Sequence, residues 1–340
     1  MTILIAGGAG YIGSNTILAI VENTNWNIVS VDNFMKSSPK TFERIKEISG
    51  KEIKNYNIDL ANKIETEKIF LENKIDGIIH FAALKEVNVS VQDPLLYYSN
   101  NLNALINILF FQKKYKVPHL IFSSSCSVYG NSSHLPVTEN TPISEVESPY
   151  AYTKVIGEKM IEDFGKTNKE FQFIALRYFN PVGAHKSGLN GELPISIPNN
   201  LMPFITQTAV GIREKLIIHG GDYNTPDGTC IRDYIHVTDI ANAHLLALKY
   251  LFDKKQKSNF EIINLGSGNG LSVLEVVKAF EEENNIKLNY TIGDRREGDV
   301  EKIYADNSKA NTLLGWKPNC SLSDMVTSAW AWEQNLQKEK

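Results

Sequence analysis

Short apolar runs alternate with amphipathic stretches through the first half of the chain. The runs are Thr2 to Ala6, Asn27 to Val31, Glu52 to Asn57, Gly77 to Phe81, His119 to Ser123 and Gln172 to Arg177, with another from Glu261 to Leu265. Their length and β-branched content predict strands. Between them Ile12 to Glu22, Asn101 to Tyr115 and Pro149 to Phe164 carry apolar residues at helical spacing, which predicts helices with one buried stripe. Strand and helix in alternation is the pattern of right-handed βαβ units. The fold class is therefore α/β, with a doubly wound parallel sheet.

From Pro181 to about Thr229 the texture changes to connections rich in Gly, Pro and Asn around one predicted helix, Leu201 to Val210. Ile231 to Leu248 reads as a return to the main body, and after Gly266 short helices and turns lead to Trp332. A chain of 340 residues exceeds the usual size of one core. The expected division is a nucleotide-binding domain, 1–180 with 231–265, and a smaller, discontinuous α/β substrate-binding domain, 181–230 with 266–340.

Composition narrows the partners. Hydrophobic residues at 42% and charged residues at 22% fit a folded globular protein. Lys plus Arg 35 against Asp plus Glu 39 leaves −4, which is no electrostatic footprint for nucleic acid or an anionic membrane. Cys126, Cys230 and Cys320 are scattered and odd in number, a set that predicts reduced thiols rather than a disulfide framework or a metal site. Met1 leads straight into Ile3-Leu4-Ile5 without a basic leader or a membrane-length apolar run. A cytoplasmic protein is expected.

The first strand runs into Gly7-Gly8-Ala9-Gly10-Tyr11-Ile12-Gly13 and then a helix, the context in which a glycine pattern signals a Rossmann-like dinucleotide site. The helix N-terminus offers unpaired N–H groups and a positive dipole end to a pyrophosphate. Gly10 allows close approach, and Gly13 lets helix and sheet pack tightly. Asp32 ends the second strand roughly 20 residues after the last glycine, where a carboxylate takes a ribose 2′-OH and repels a 2′-phosphate. That predicts NAD rather than NADP. Asp59 is a candidate for the adenine amino group, and Phe81-Ala82-Ala83 for a small-residue floor beneath the cofactor.

Ser148-Pro149 reads as an N-cap followed by proline at the first helical position. Tyr150 and Lys154 then stand one turn apart on one face. A phenol with an ordinary pKa of ~10 needs roughly 4 kcal/mol of preferential phenolate stabilisation to act as a base near neutrality. Lys154, the helix N-terminus and an oxidised nicotinamide are the expected sources. Ser125, at the carboxyl end of the fifth strand in Ser123-Ser124-Ser125-Cys126-Ser127-Val128-Tyr129-Gly130, is placed to hydrogen-bond and relay the proton of a reacting hydroxyl.

These residues, with His80-Phe81-Ala82-Ala83-Leu84-Lys85, Leu176 to His185, Ile197-Pro198-Asn199-Asn200-Leu201-Met202-Pro203, Arg232-Asp233-Tyr234-Ile235-His236-Val237 and Arg295-Arg296-Glu297-Gly298-Asp299, make the chain resemble the UDP-glucose 4-epimerase family over nearly its whole length. This family lies in the extended short-chain dehydrogenase/reductase class. The resemblance implies reversible epimerisation at C4 of UDP-glucose and UDP-galactose through a 4-keto sugar, with Tyr150 as base and NAD holding the hydride. It also implies a homodimer through the helices near Asn101 to Tyr115 and Pro149 to Phe164.

By the same resemblance Tyr11, Ile12, Asn33, Ser37, Leu60, Lys85, Asn100, Ser123 and Phe179 join the glycine loop, Asp32, Tyr150 and Lys154 around NAD. On the sugar side Ser125, Tyr150, Asn180, Asn200, Leu201, Leu216, Ile217, Asp299 and Ile303 are expected, with Arg232 and Arg296 clamping the diphosphate. Two positions depart from the family. His219 stands where related chains carry Phe over the uracil, and Ile303 stands at a size gate that is Tyr in members restricted to glucose and galactose. The smaller Ile303 predicts access for UDP-N-acetylglucosamine. The competing readings are a sugar 4,6-dehydratase, which needs an acid and a base where this chain has Cys126 and Ser127, a uronate epimerase, and a sensor that binds NAD without chemistry.

Overall fold

The computed structural model describes residues 1–143, 146–195, 197–296 and 299–339. Its strands are β1 (Thr2–Ala6), β2 (Asn27–Val31), β3 (Lys54–Tyr56), β4 (Gly77–His80), β5 (His119–Ser125), β6 (Gln172–Tyr178), β7 (Asn180–Val182), β8 (Leu216–His219), β9 (Ile231–His236), β10 (Phe260–Leu265), β11 (Gly270–Ser272), β12 (Tyr290–Gly293) and β13 (Lys302–Ile303). The helices are α1 (Tyr11–Asn23), α2 (Lys40–Ser49), α3 (Lys63–Glu72), α4 (Val87–Gln92), α5 (Pro94–Lys114), α6 (Pro149–Thr167), α7 (Leu201–Ala209), α8 (Val237–Phe252), α9 (Val273–Asn284), α10 (Ser308–Leu314) and α11 (Leu322–Lys338).

Successive side chains of a strand point to opposite faces, and β1 uses both. Ile3 and Ile5 join a core with α1 and α8, while Leu4 and Ala6 join a second core with α5 and α6. A strand buried on both faces needs a continuous apolar run, which is why Ile3-Leu4-Ile5-Ala6 lacks polar alternation. Seven parallel strands stack in the order β10-β6-β5-β4-β1-β2-β3. The order turns back between β1 and β4, so the crevice for a ligand opens at their carboxyl ends.

Five expectations change. The run from Glu52 to Asn57 shrinks to β3, an edge strand with β2 as its only partner in the sheet. The helix expected from Asn101 begins at Pro94, because Asp93 accepts from Leu96 N at 3.1 Å and proline occupies the first turn. Ile231 to His236 does not rejoin the central sheet: β9 pairs with β7, β11 and β13 in a second sheet, and only α8 returns. Conversely Ala310, Leu314 and Trp316, expected in the smaller domain, are buried in the first core, with Trp316 Nε1 donating to Asp239 O at 2.8 Å. The tail is one long helix, α11, rather than short turns.

The smaller lobe packs α7, α9 and α11 around Met202, Val276, Phe280 and Val326. It meets the larger lobe at the start of α1, where Tyr11 Oη donates to Gly183 O at 2.5 Å and Asn190 Nδ2 to Ser14 Oγ at 3.0 Å. Among the described residues no helix is long and apolar enough to cross a membrane.

Candidate active site

The glycine loop is shaped by contacts that forbid side chains. Gly7 has φ +87°, and a Cβ there meets Ala82 N at 2.8 Å; a Cβ on Gly13 meets Gly7 O at 2.2 Å. Gly10 is the N-cap of α1, with no side-chain cap and no acid in the first turn. An uncapped helix start leaves N–H donors for an anion. Asp32 lies against this loop, its Oδ2 accepting from Ala9 N at 3.0 Å and its Oδ1 from Ser37 Oγ at 2.7 Å and Phe34 N at 3.0 Å. Glycine cradle, bare helix end and fixed carboxylate together fit a dinucleotide without a 2′-phosphate.

The other cofactor candidates are placed unevenly. Asn33 Oδ1 accepts from Met35 N, and Asp59 Oδ1 closes a turn on Ala61 N at 2.9 Å. The Leu60 side chain is buried in the sheet core, and Ile12 packs against the opposite core. The Phe81 ring sits 4.7 Å from His244 on α8, and Ala82 and Ala83 follow as small residues beyond β4. Asn100 Nδ2 donates to Asn101 Oδ1. Lys85 Nζ pairs with Glu192 Oε1 at 3.1 Å. Phe179 is buried beside Tyr129 and Ile303.

Ser148 caps α6, accepting from Ala151 N at 3.2 Å, and Pro149 opens the helix. This puts Tyr150 and Lys154 one turn apart beneath the end of β5. Tyr150 hydrogen-bonds Ser125, while Lys154 Nζ donates to Ser123 O at 2.7 Å and lies 5.8 Å from the Tyr150 ring centroid. Burial pushes the Tyr150 phenol up to about 12, with the Ser125 hydrogen bond acting the other way. Burial also brings the Lys154 ammonium down to about 8, against the pull of Glu158. The expected acidification of the phenol involves Lys154, the helix N-terminus and an oxidised nicotinamide together, and in the polypeptide by itself burial acts in the opposite direction. Desolvation penalises each charged form, and the lysine's hydrogen bond goes to a backbone carbonyl.

Behind these groups lies a network absent from the sequence reading. Arg177 makes a two-pronged contact with Glu158, Nε to Oε1 at 2.8 Å and Nη2 to Oε2 at 2.6 Å, and Ser124 Oγ donates to the same carboxylate at 2.5 Å. Arg177 and Glu158 are 2% and 4% exposed. The guanidinium lies over the Tyr129 ring, whose hydroxyl donates to Asn264 Oδ1 at 2.6 Å. Glu158 had a legible signal, since it stands one turn after Lys154 on the same helix face.

On the sugar side Asn180 is half-buried in β7, opposite Tyr234 of β9. Asn200 Nδ2 donates to Glu192 Oε1 at 2.6 Å, and Leu201 opens α7 with its side chain against the smaller core. Strand β8 alternates: Leu216 points into that core, whereas Ile217 and His219 share the exposed face. Arg232 and Arg296 converge on Asp299 Oδ1, at 3.6 Å and 2.9 Å. Glu297 and Gly298 of the same segment lie outside the described residues. Ile303, 5% exposed, packs with Val128 and Tyr129 just past Ser125, and β13 sets it beside Arg232. The thiol of Cys126 is pushed up to about 12, chiefly by burial.

The chain is similar to known proteins along its whole length. The profile of the GDP-mannose 4,6 dehydratase family matches residues 4–329. The UDP-glucose 4-epimerase of Pasteurella multocida is 45% identical over 339 residues, covering 99% of each chain. The crystal structure of UDP-glucose 4-epimerase from Bifidobacterium longum in complex with NAD+ and UDP is 42% identical and covers all of both chains with a TM-score of 0.95. The UDP-Glc/GlcNAc 4-epimerase of Campylobacter jejuni is 36% identical, with a TM-score of 0.83 over 98% of this chain and 99% of that one.

Proposed function

The chain belongs to the UDP-glucose 4-epimerase family, and from that premise we propose that it interconverts UDP-glucose and UDP-galactose by inversion at C4, using NAD. The observation that supports this reading is the placing of Tyr150 and buried Lys154 one turn apart on α6, with Lys154 Nζ donating to Ser123 O near the carboxyl end of β5 that carries Ser125. When bound, NAD supplies an acceptor for the C4 hydride and a donor that returns it to either face of the 4-keto sugar.

The polypeptide's share is proton handling and orientation. Tyr150 takes the 4-OH proton and gives it back. Ser125 orients both oxygens. Burial raises the phenol's affinity for its proton, and added positive charge in the crevice would act the other way, favouring deprotonation in the loaded, oxidised site. Arg232 and Arg296 hold the diphosphate, concentrating binding energy on the nucleotide so that the sugar is free to turn over. A dehydratase needs a further acid and base after Ser125, and the Cys126 thiol, held neutral by burial, supplies neither.

The test is incubation with UDP-galactose without added NAD, followed by product identification. UDP-glucose is expected, and a 4-keto-6-deoxy sugar or no turnover refutes the reading.

Ile303 in place of a bulkier residue opens the sugar pocket to N-acetyl sugars. Conversion of UDP-N-acetylglucosamine by the wild type, lost in Ile303→Tyr with UDP-galactose turnover kept, is the expected result. The working unit is taken as a homodimer, on the support of exposed Leu95, Ile106 and Phe110 on α5 and Tyr152 on the adjoining α6. Phe110→Glu is expected to give a monomer on sedimentation. The unpaired state of all three cysteines accords with a cytoplasmic setting.

A further inference from the structure

One carboxylate outside every sequence motif sits between the two ligand sides of the crevice. Glu192 Oε1 accepts both from Lys85 Nζ, at 3.1 Å, and from Asn200 Nδ2, at 2.6 Å. Lys85 follows β4 on the dinucleotide side, and Asn200 is the N-cap of α7 in the smaller lobe. A single oxygen therefore ties together two residues expected to serve different ligands.

The carboxylate is not free to drift. Glu192 O accepts from Trp332 Nε1 at 2.9 Å, and a Cβ on Gly191 meets Trp332 Cδ1 at 2.5 Å, so the backbone is pressed against the indole. The Glu192 side chain is 14% exposed against 57% for Lys85. A largely desolvated acid beside a crevice for two anionic ligands repels both unless a cation neutralises it.

We propose that Glu192 is a positioning residue that couples the dinucleotide side of the crevice to the nucleotide-sugar side. This rests on the reading of the crevice as an NAD and UDP-sugar site. With Lys85 in place the carboxylate is neutralised and aligns the Asn200 amide. Without Lys85 the same charge stands unpaired beside the incoming diphosphate, so loss of Lys85 weakens UDP binding through Glu192.

The experiment is a double-mutant cycle on the full chain saturated with NAD, reading the Kd of UDP by calorimetry for wild type, Lys85→Met, Glu192→Gln and the double variant. Melting curves confirm that each is folded. Lys85→Met is expected to weaken UDP binding roughly threefold to tenfold in the wild-type background and less than about twofold when residue 192 is Gln. Equal losses in both backgrounds overturn the proposal. Turnover of UDP-galactose by the same wild-type preparation separates the two failures: additivity with intact epimerisation removes only the role of Glu192, whereas absent epimerisation removes the reading beneath it.

Discussion

The two ends of the crevice treat charge in opposite ways. At the proposed catalytic end Lys154, Glu158 and Arg177 are buried and Ser125 and Tyr150 partly so, and burial is the first cause of the shifts of both Tyr150 and Lys154. At the proposed diphosphate end Arg296 is 44% exposed and shares Asp299 with the less exposed Arg232, so solvent screens the Arg296 contact. The buried end can change a proton's affinity by orders of magnitude, but only by destabilising charged groups. The wet end holds permanent charge cheaply and gains from it only when an anion arrives.

The largest expected effect breaks the buried end. Tyr150→Phe is expected to lower turnover of UDP-galactose by about 10³-fold, within the range for loss of a positioned acid–base group, while bound cofactor remains visible in the absorbance spectrum. Retained activity would show that the phenol is not the base.

Next in size is the stability that the catalytic lysine costs. Lys154 loses its proton near pH 8 in the fold, against about 10.4 in the unfolded chain. Above pH 8 the unfolded chain therefore binds more protons, and wild-type stability rises with pH until the unfolded value is passed. Below pH 8 the full cost of the buried ammonium is present. Lys154→Met is expected to lose activity yet melt a few degrees higher at pH 7, with the gap narrowing between pH 8 and 10. A variant that melts lower at every pH would place Lys154 among stabilising contacts instead.

The smallest effect sharpens the wet end. Arg296→Gln is expected to raise the KM for UDP-galactose about tenfold, as loss of one charged hydrogen bond does, with kcat nearly unchanged. In the wild type KM should climb with added salt. A fall in kcat equal to the rise in KM would move Arg296 to the reacting centre.

Much of the catalytic end was legible because its parts are local. The glycine loop, the Ser148-Pro149 helix start and the Tyr150/Lys154 spacing each depend on residues within a few positions of one another, where backbone geometry fixes the outcome. The Glu158–Arg177 contact was half legible: one turn of α6 places the acid, but nothing local shows that β6 delivers its arginine partner. The packing of Leu216 into the smaller core and of Phe81 on His244 was not legible for a related reason. Which face of a strand, or which side of a loop, meets the core is decided by the neighbours that cover it.

The sequence by itself determined the strand and helix periods, the glycine turn proposed to seat a dinucleotide and the one-turn spacing of Tyr150 and Lys154, since each is written in short-range spacing. Tertiary structure alone decided that β9 leaves the central sheet, that residues near Trp316 return to the first core, that Glu192 spans Lys85 and Asn200, and that burial raises the Tyr150 phenol's affinity for its proton. Those outcomes depend on which distant segments exclude water from one another, and spacing along a chain carries no record of that.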